Sequence, residues 1–378
     1  MRLTLTRVRF FIVAALAVAG ISAAITLLSL SGQSEALDTA EPRSDGLLLI
    51  SEFRESESTL FLVDPSHPDA RQEFSRVPHA EGWELVGSVS PTGDTFAYLV
   101  LPPRATDQTL EMALAIRDND GVRFVSTGFD IGGGLLWSAD GESVFLRRST
   151  GGDLPTQSLV EIDIGSGGEE LRFQAEDNFG LYAVAKPEDG PLYVAVINTQ
   201  GSEFLVLSEE GQAERTVKLS DGVIRDWALS PDGSKVAFTE QRGLKLNVRV
   251  VGLVSDRTTL SAADYLNGNL ASAPAGGSAA PAWHPDGSLS VGTFGESGSG
   301  AVRLAAGGES VIDWEPSEGF ILPVAWSEDG AHLALRAFSG SGPGAVGQES
   351  AAVMGPGGHI ATIRGEFVTV LGWWYGSD

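Results

Sequence analysis

Residues with catalytic or metal-binding potential are few in this chain and poorly spaced. The five histidines are His67, His79, His284, His332 and His359, with no His-x-x-x-His pair, and there is no cysteine. Zinc sites draw on Cys and His at short spacings, so a metal here would need ligands from distant parts of the chain. Asp118-Asn-Asp-Gly121 has the look of a calcium loop. Setting its glycine at the sixth position of such a loop puts Ile116 first and Thr127 twelfth, and neither supplies the needed carboxylate. A hairpin turn accounts for it better. No Gly-x-Ser-x-Gly nucleophile elbow occurs. Gly132-Gly-Gly134 precedes a strand-like run and not a helix, which argues against a phosphate loop. The expectation is therefore no catalytic residue, no metal and no cofactor.

Charge excludes a further class. The 378 residues carry 50 acidic and 25 basic side chains, a net charge of -25. Nucleic-acid affinity rests on clustered Lys and Arg, so a nucleic-acid partner is not expected. The absence of cysteine also rules out a disulfide framework and a lipid-modified cysteine.

The elements that must position any site are announced by a repeat. Trp227-Ala-Leu-Ser-Pro-Asp-Gly-Ser-Lys-Val-Ala-Phe238 reads as an apolar strand, a tight turn and a second apolar strand. Pro presets φ in the turn, Asp bonds its own backbone and Gly supplies positive φ. Related turns are Ser90-Pro-Thr-Gly93, Ser138-Ala-Asp-Gly141, Pro187-Glu-Asp-Gly190, His284-Pro-Asp-Gly287 and Ser327-Glu-Asp-Gly330. Trp137, Trp283 and Trp326 sit just before their turns, as Trp227 does, and are expected to pack one unit against the next. His284 and His332 are expected to be surface turn residues. The turn glycines are spaced by 48, 49, 43, 54 and 43 residues. Such a period, with about four strands per unit, is the signature of a β-propeller.

The aromatic-Ser-Pro-Asp-Gly turn followed by a Val-Ala-Phe-like strand also resembles the TolB-like, WD-repeat-like propeller family. The resemblance covers roughly residues 45–378. It implies an all-β propeller and says little about function, because such propellers serve many roles.

Gly46 lies 47 residues before Gly93, and Gly376 lies 46 residues after Gly330. The first strands then lack an innermost partner, which residues 367–374 can supply. Pairing the two ends closes the ring and removes exposed sheet edges. This counts seven four-stranded blades; six blades with irregular ends is the alternative. Residues 262–281, rich in Ala, Gly and Ser, read as one long loop and account for the 54-residue spacing.

Ahead of the propeller domain, residues 46–378, three segments stand apart. Residues 1–9 hold three arginines and no acid, residues 10–30 are apolar and uncharged, and residues 31–45 are a polar linker. Twenty-one helical residues span about 30 Å, the thickness of the bilayer hydrocarbon. The arginines orient the N-terminus to the cytoplasm. A membrane anchor is expected, with a cleaved signal near Ser34-Glu-Ala36 as the alternative; both place the propeller outside the cytoplasm.

On a propeller, links between blades share one face with the second hairpin of each blade. Polar and aromatic residues expected there are Trp83, Asp130, Glu176, Asp177, Asn178, Phe179, Tyr265, Asn267, Trp314, Glu315 and Phe320. Aromatics beside carboxylates suit protein or peptide recognition. The resulting expectation is a non-catalytic, membrane-anchored module binding a protein, peptide or cell-envelope polymer. The alternative is a propeller hydrolase or lactonase with a metal at the channel mouth.

Overall fold

The computed structural model describes residues 46–376, apart from 104–110, 131–133, 150–155, 177, 189, 244, 254–259, 262–276, 296–297, 305–309, 315–318, 343–344, 364 and 366. The anchor expected at 10–30 and the linker at 31–45 lie outside the described residues. Among the described residues no helix is long and apolar enough to cross a membrane.

Among the described residues, twenty-eight strands form seven antiparallel four-stranded sheets. Blade 1 contains β1 (Leu47–Arg54), β2 (Glu57–Val63) and β3 (Arg71–Pro78), and its innermost strand is the last of the chain, β28 (Val368–Trp374). Blade 2 runs through β4 (Val86–Val89), β5 (Phe96–Val100), β6 (Met112–Asp118) and β7 (Gly121–Phe129). Blade 3 has β8 (Leu135–Trp137), β9 (Ser143–Ser149), β10 (Gln157–Asp163) and β11 (Glu169–Ala175). Blade 4 has β12 (Gly180–Ala185), β13 (Leu192–Asn198), β14 (Gly201–Leu207) and β15 (Ala213–Ser220). Blade 5 has β16 (Val223–Leu229), β17 (Lys235–Arg242), β18 (Lys245–Gly252) and β19 (Leu260–Ser261). Blade 6 has β20 (Gly277–Trp283), β21 (Leu289–Gly295), β22 (Gly298–Leu304) and β23 (Ser310–Trp314). Blade 7 has β24 (Phe320–Trp326), β25 (Leu333–Phe338), β26 (Glu349–Met354) and β27 (Ile360–Ile363).

The first strands of the blades touch in a ring, β28 to β4, β8, β12, β16, β20, β24 and back to β28. Closure comes from β1 pairing with β28, in the register Leu47↔Trp374, Leu48↔Trp373 and Glu52↔Val368. Seven blades, and the pairing of the two ends, agree with the sequence expectation.

A blade is buried on both faces, which explains why its strands read as unbroken apolar runs. Leu47 and Leu49 alternate toward blade 2, while Leu48 and Ile50 alternate toward blade 7. In β5, Phe96, Tyr98 and Val100 face blade 1, and Ala97 and Leu99 face blade 3. Each of the seven blade interfaces thereby has its own apolar cluster.

The repeated turn is held by its own side chains. In blade 5 the Ser230 hydroxyl donates to Asp232 at 2.6 Å and accepts the Lys235 N–H at 2.9 Å. Asp232 accepts the Ser234 N–H at 3.1 Å. Ser138 with Asp140 and Ser327 with Asp329 repeat the pattern. Each Asp carboxylate is held low by these bonds, and Asp232 is pushed down to about 2, first by the Ser230 hydroxyl.

Several sequence expectations need correction. Residues 277–281 belong to β20, paired with β21, so the loop expected at 262–281 ends earlier; its remainder lies outside the described residues. His284 is wedged between blades. Its Nε2 donates to the Gly330 carbonyl of blade 7 at 3.1 Å, and its ring meets Trp326 edge-on at 4.6 Å. The tryptophans also divide. Trp137, Trp283 and Trp373 each donate the indole N–H to a carbonyl of the preceding blade, Ser88, Ala228 and Ala325, at 2.9–3.0 Å. Trp227 stands two residues further from its turn; its ring packs on the cluster between blades 4 and 5, as expected, and also lines the channel cavity.

Candidate functional site

Each innermost strand pairs on one side only, so its other edge borders the central channel. On the face carrying the links between blades, the channel widens into a cavity of about 670 Å³. Its walls come from β16, β20, β24, β25, β26 and β28.

One wall is aromatic and aliphatic. Phe320 of β24 stacks on Phe338 of β25 at 4.6 Å and 9°, as the register Phe320↔Phe338 requires, with Leu322, Pro323 and Val324 alongside. Trp227 tilts against Tyr182 of β12 at 6.1 Å and Phe238 of β17 at 6.5 Å.

Five charged side chains reach this space: Glu84, Arg225, Asp226, Arg336 and Glu349. Arg336 and Glu349 form a two-pronged pair, Nε to Oε1 at 2.6 Å and Nη2 to Oε2 at 2.9 Å. This pair raises the Arg336 guanidinium, chiefly through the Glu349 bond. Arg225 and Asp226 are neighbours whose charges approach to 3.5 Å. Glu84 is placed by Leu85, which is buried in the interface of blades 1 and 2. It accepts the Thr369 hydroxyl of β28 at 2.8 Å. Burial pushes its carboxyl up, and the nearby Glu349 charge adds to that shift.

The backbone around the cavity is irregular. Asp226 and Ala280 both have φ of 53°, and β16 and β20 shift register across them. Such bulges re-aim side chains near sites, and non-glycine residues in this region carry strain.

The sequence candidates scatter. Phe320 enters the cavity but is 2% exposed. Trp83 is half-buried in the link before β4, one residue from Glu84. Asp130 pairs with Arg147 at 3.1 Å. Glu176 is exposed, Asn178 is buried and Phe179 is 69% exposed in the link before β12. Trp314 ends β23. Asp177, Tyr265, Asn267 and Glu315 lie outside the described residues. Sequence reasoning missed Glu84, Arg225, Asp226, Arg336 and Glu349. The available signal was Arg225-Asp226, which breaks the alternation of β16 just before its turn.

No protein-family model and no curated protein matches the chain. Solved structures do. The β-propeller domain of the Trilobed protease from Pyrococcus furiosus, which has an open velcro topology, aligns at TM-score 0.55 and 12% identity, over 87% of this chain and 98% of that one. Prolyl oligopeptidase B from Galerina marginata aligns at 0.57 and 14%, over 84% of this chain and 48% of that one. This chain thus spans about half the length of that peptidase. TolB from Acinetobacter baumannii aligns at 0.48 and 12%, over 88% of this chain and 68% of that one. At these identities the likeness establishes the fold, a seven-bladed β-propeller.

Proposed function

We propose that this chain is a membrane-tethered, extracytoplasmic propeller that binds a protein, peptide or cell-envelope polymer at the channel mouth and catalyses no reaction. The reading rests on the 670 Å³ cavity, where an aromatic wall and a few placed charges converge from several blades. Concave, largely apolar sites with a few oriented polar groups are where ligands bind. The Ser-Pro-Asp-Gly turns support placing the repeats with TolB-like propellers, and residues 10–30 support the tether.

A propeller hydrolase or lactonase would need metal ligands gathered from several blades. Glu84, Asp226 and Glu349 reach the cavity, yet Glu349 is held by Arg336. Among the described residues no three His, Asp or Glu side chains group closely enough to share a metal. The aromatic wall and placed charges of the cavity favour binding.

The test is site-specific photo-crosslinking in the native host. A photoreactive residue at Val346, 46% exposed and lining the cavity, should give discrete adducts. The same residue at Asp286, in a turn on the opposite face, should give none. Adducts at Asp286 alone would overturn the assignment.

A further inference from the structure

The residues around the cavity specify what it takes. Eight large hydrophobic residues are well exposed among the described residues, and five of them occupy the channel-mouth face. Val86 opens β4, Val223 opens β16, Phe179 immediately precedes β12, and Phe367 immediately precedes β28. These four lie at or just before the start of the innermost strand in four blades. Val346, in the connection between β25 and β26, is the fifth. Phe367 is 71% exposed and has φ of 53°, an unusual conformation for a bulky side chain.

Below this apolar rim the charges do not balance. Arg336 is bonded by Glu349 and also lends Glu84 a weaker attraction, and Arg225 lies beside Asp226, so three carboxylates share two guanidinium groups. Glu84 is the carboxylate in excess, partly desolvated and hydrogen-bonded by the neutral Thr369 hydroxyl. A desolvated charge is costly until an opposite charge meets it. Innermost strands also present one unpaired backbone edge to the channel, the kind of edge an extended chain can pair with.

On the binding reading above, we propose that the occupant is an extended polypeptide segment with a basic group flanked by apolar side chains. The ammonium or guanidinium meets Glu84, and the flanking side chains cover Phe367, Val86 and Val223. The chain's net charge of -25 favours approach of a cationic segment from a distance.

The test uses the purified propeller and three fluorescein-labelled peptides of sequence Leu-Phe-X-Phe-Leu, capped at both ends, with X as Lys, norleucine or Glu. Fluorescence anisotropy reads their affinities at low ionic strength. The Lys peptide should bind about tenfold or more tighter than the norleucine peptide, the scale of one charge-assisted hydrogen bond. The Glu peptide should bind weakest. Glu84→Gln should abolish the preference for Lys over norleucine. Glu328→Gln, which removes an exposed carboxylate from the opposite face, should leave it intact. Phe367→Ser should weaken the Lys and norleucine peptides alike. Equal binding of the three peptides, or a Lys preference that survives Glu84→Gln, overturns the proposal. Crosslinks at Val346 without any Lys preference would sink this inference and spare the binding reading; crosslinks confined to Asp286 would sink both.

Discussion

At the scale of single residues, space and charge make separable predictions. Gly82 and Gly93 have nearly the same backbone, φ of 79° and 75°. A Cβ on Gly82 would meet nothing within 4 Å, whereas one on Gly93 would lie 2.3 Å from the Tyr375 ring. Tyr375 is a seam residue: its N–H bonds the Gly93 carbonyl, and its hydroxyl accepts the Glu328 N–H at 2.6 Å. Gly82→Ala should cost only the conformational penalty, about 1 kcal/mol. Gly93→Ala should cost more, on the order of 2–4 kcal/mol, because the ring must move. Urea titrations of both variants measure the difference, and equal losses would mean that Tyr375 does not seal the seam. The carboxylates pull in opposite directions with pH. Asp232, depressed to about 2, contributes stability that is present above its ordinary 3.8 and is lost as pH falls toward 2. Ser230→Ala should move the Asp232 carboxyl back toward 3.8 in an NMR titration. Glu84 is raised, so its ionised form opposes folding above the ordinary 4.5 and the penalty fades below it. Glu84→Gln should therefore raise the urea midpoint at pH 7 and change it little near pH 4. A lower midpoint at pH 7 would contradict the desolvated carboxylate. Of the five cavity charges only Arg225-Asp226 leaves a trace in sequence, by interrupting the apolar run of β16. They come from the link before β4 and from β16, β25 and β26; the β25–β26 pairing joins Arg336 to Glu349, and only ring closure brings that pair together with Glu84 and Arg225-Asp226.

At the scale of elements, the strands and turns were legible because their chemistry is local. In blades 3, 5 and 7 the Ser hydroxyl and Asp carboxylate that cap the turn lie two residues apart, so the motif names the hairpin. Apolar alternation then runs to both blade faces, and the pattern of Leu47-Leu-Leu-Ile50 follows. What local pattern does not reveal is the bulge in the innermost strands, which shifts register at Asp226 and Ala280. Trp283 should behave as a structural bolt, since its indole N–H meets the Ala228 carbonyl at 2.9 Å. Trp283→Phe should cost about 1–3 kcal/mol, leaving that carbonyl unpaired in the interface. Trp227→Phe should cost distinctly less, because this half-buried ring faces the channel. Denaturant melts of the pair decide the matter. A larger loss at Trp227 would mean that its packing between blades 4 and 5 outweighs the Trp283 bond.

At the scale of the whole molecule, the ring is closed by one composite blade. Its outer three strands open the described chain and its innermost strand ends it, with β1 and β28 in register from Leu47↔Trp374 to Glu52↔Val368. Any other opening of the ring must break covalent chain, whereas this seam is held by hydrogen bonds and the packing of Leu48, Trp373 and Trp374. Circular permutation separates the seam's contribution from that of the residues themselves. Joining 376 to 46 through a short Gly-Ser linker makes blade 1 contiguous. New ends can then be cut at two kinds of place. A cut between Glu209 and Glu210, exposed in the turn between β14 and β15, leaves blade 4 built from both ends of the new chain. A cut in the link between β7 and β8 leaves every blade contiguous, so only blade packing holds the ring shut. Both permutants keep the same residues and the same native pairings. If strand exchange across the seam is what locks the propeller, the first should unfold at a clearly higher urea concentration than the second. The second should also exchange the amide protons of β4 and β8 faster, since the blade 2–3 interface would then be its weakest. Equal midpoints would show that packing between blades is sufficient and that the composite blade is dispensable for closure.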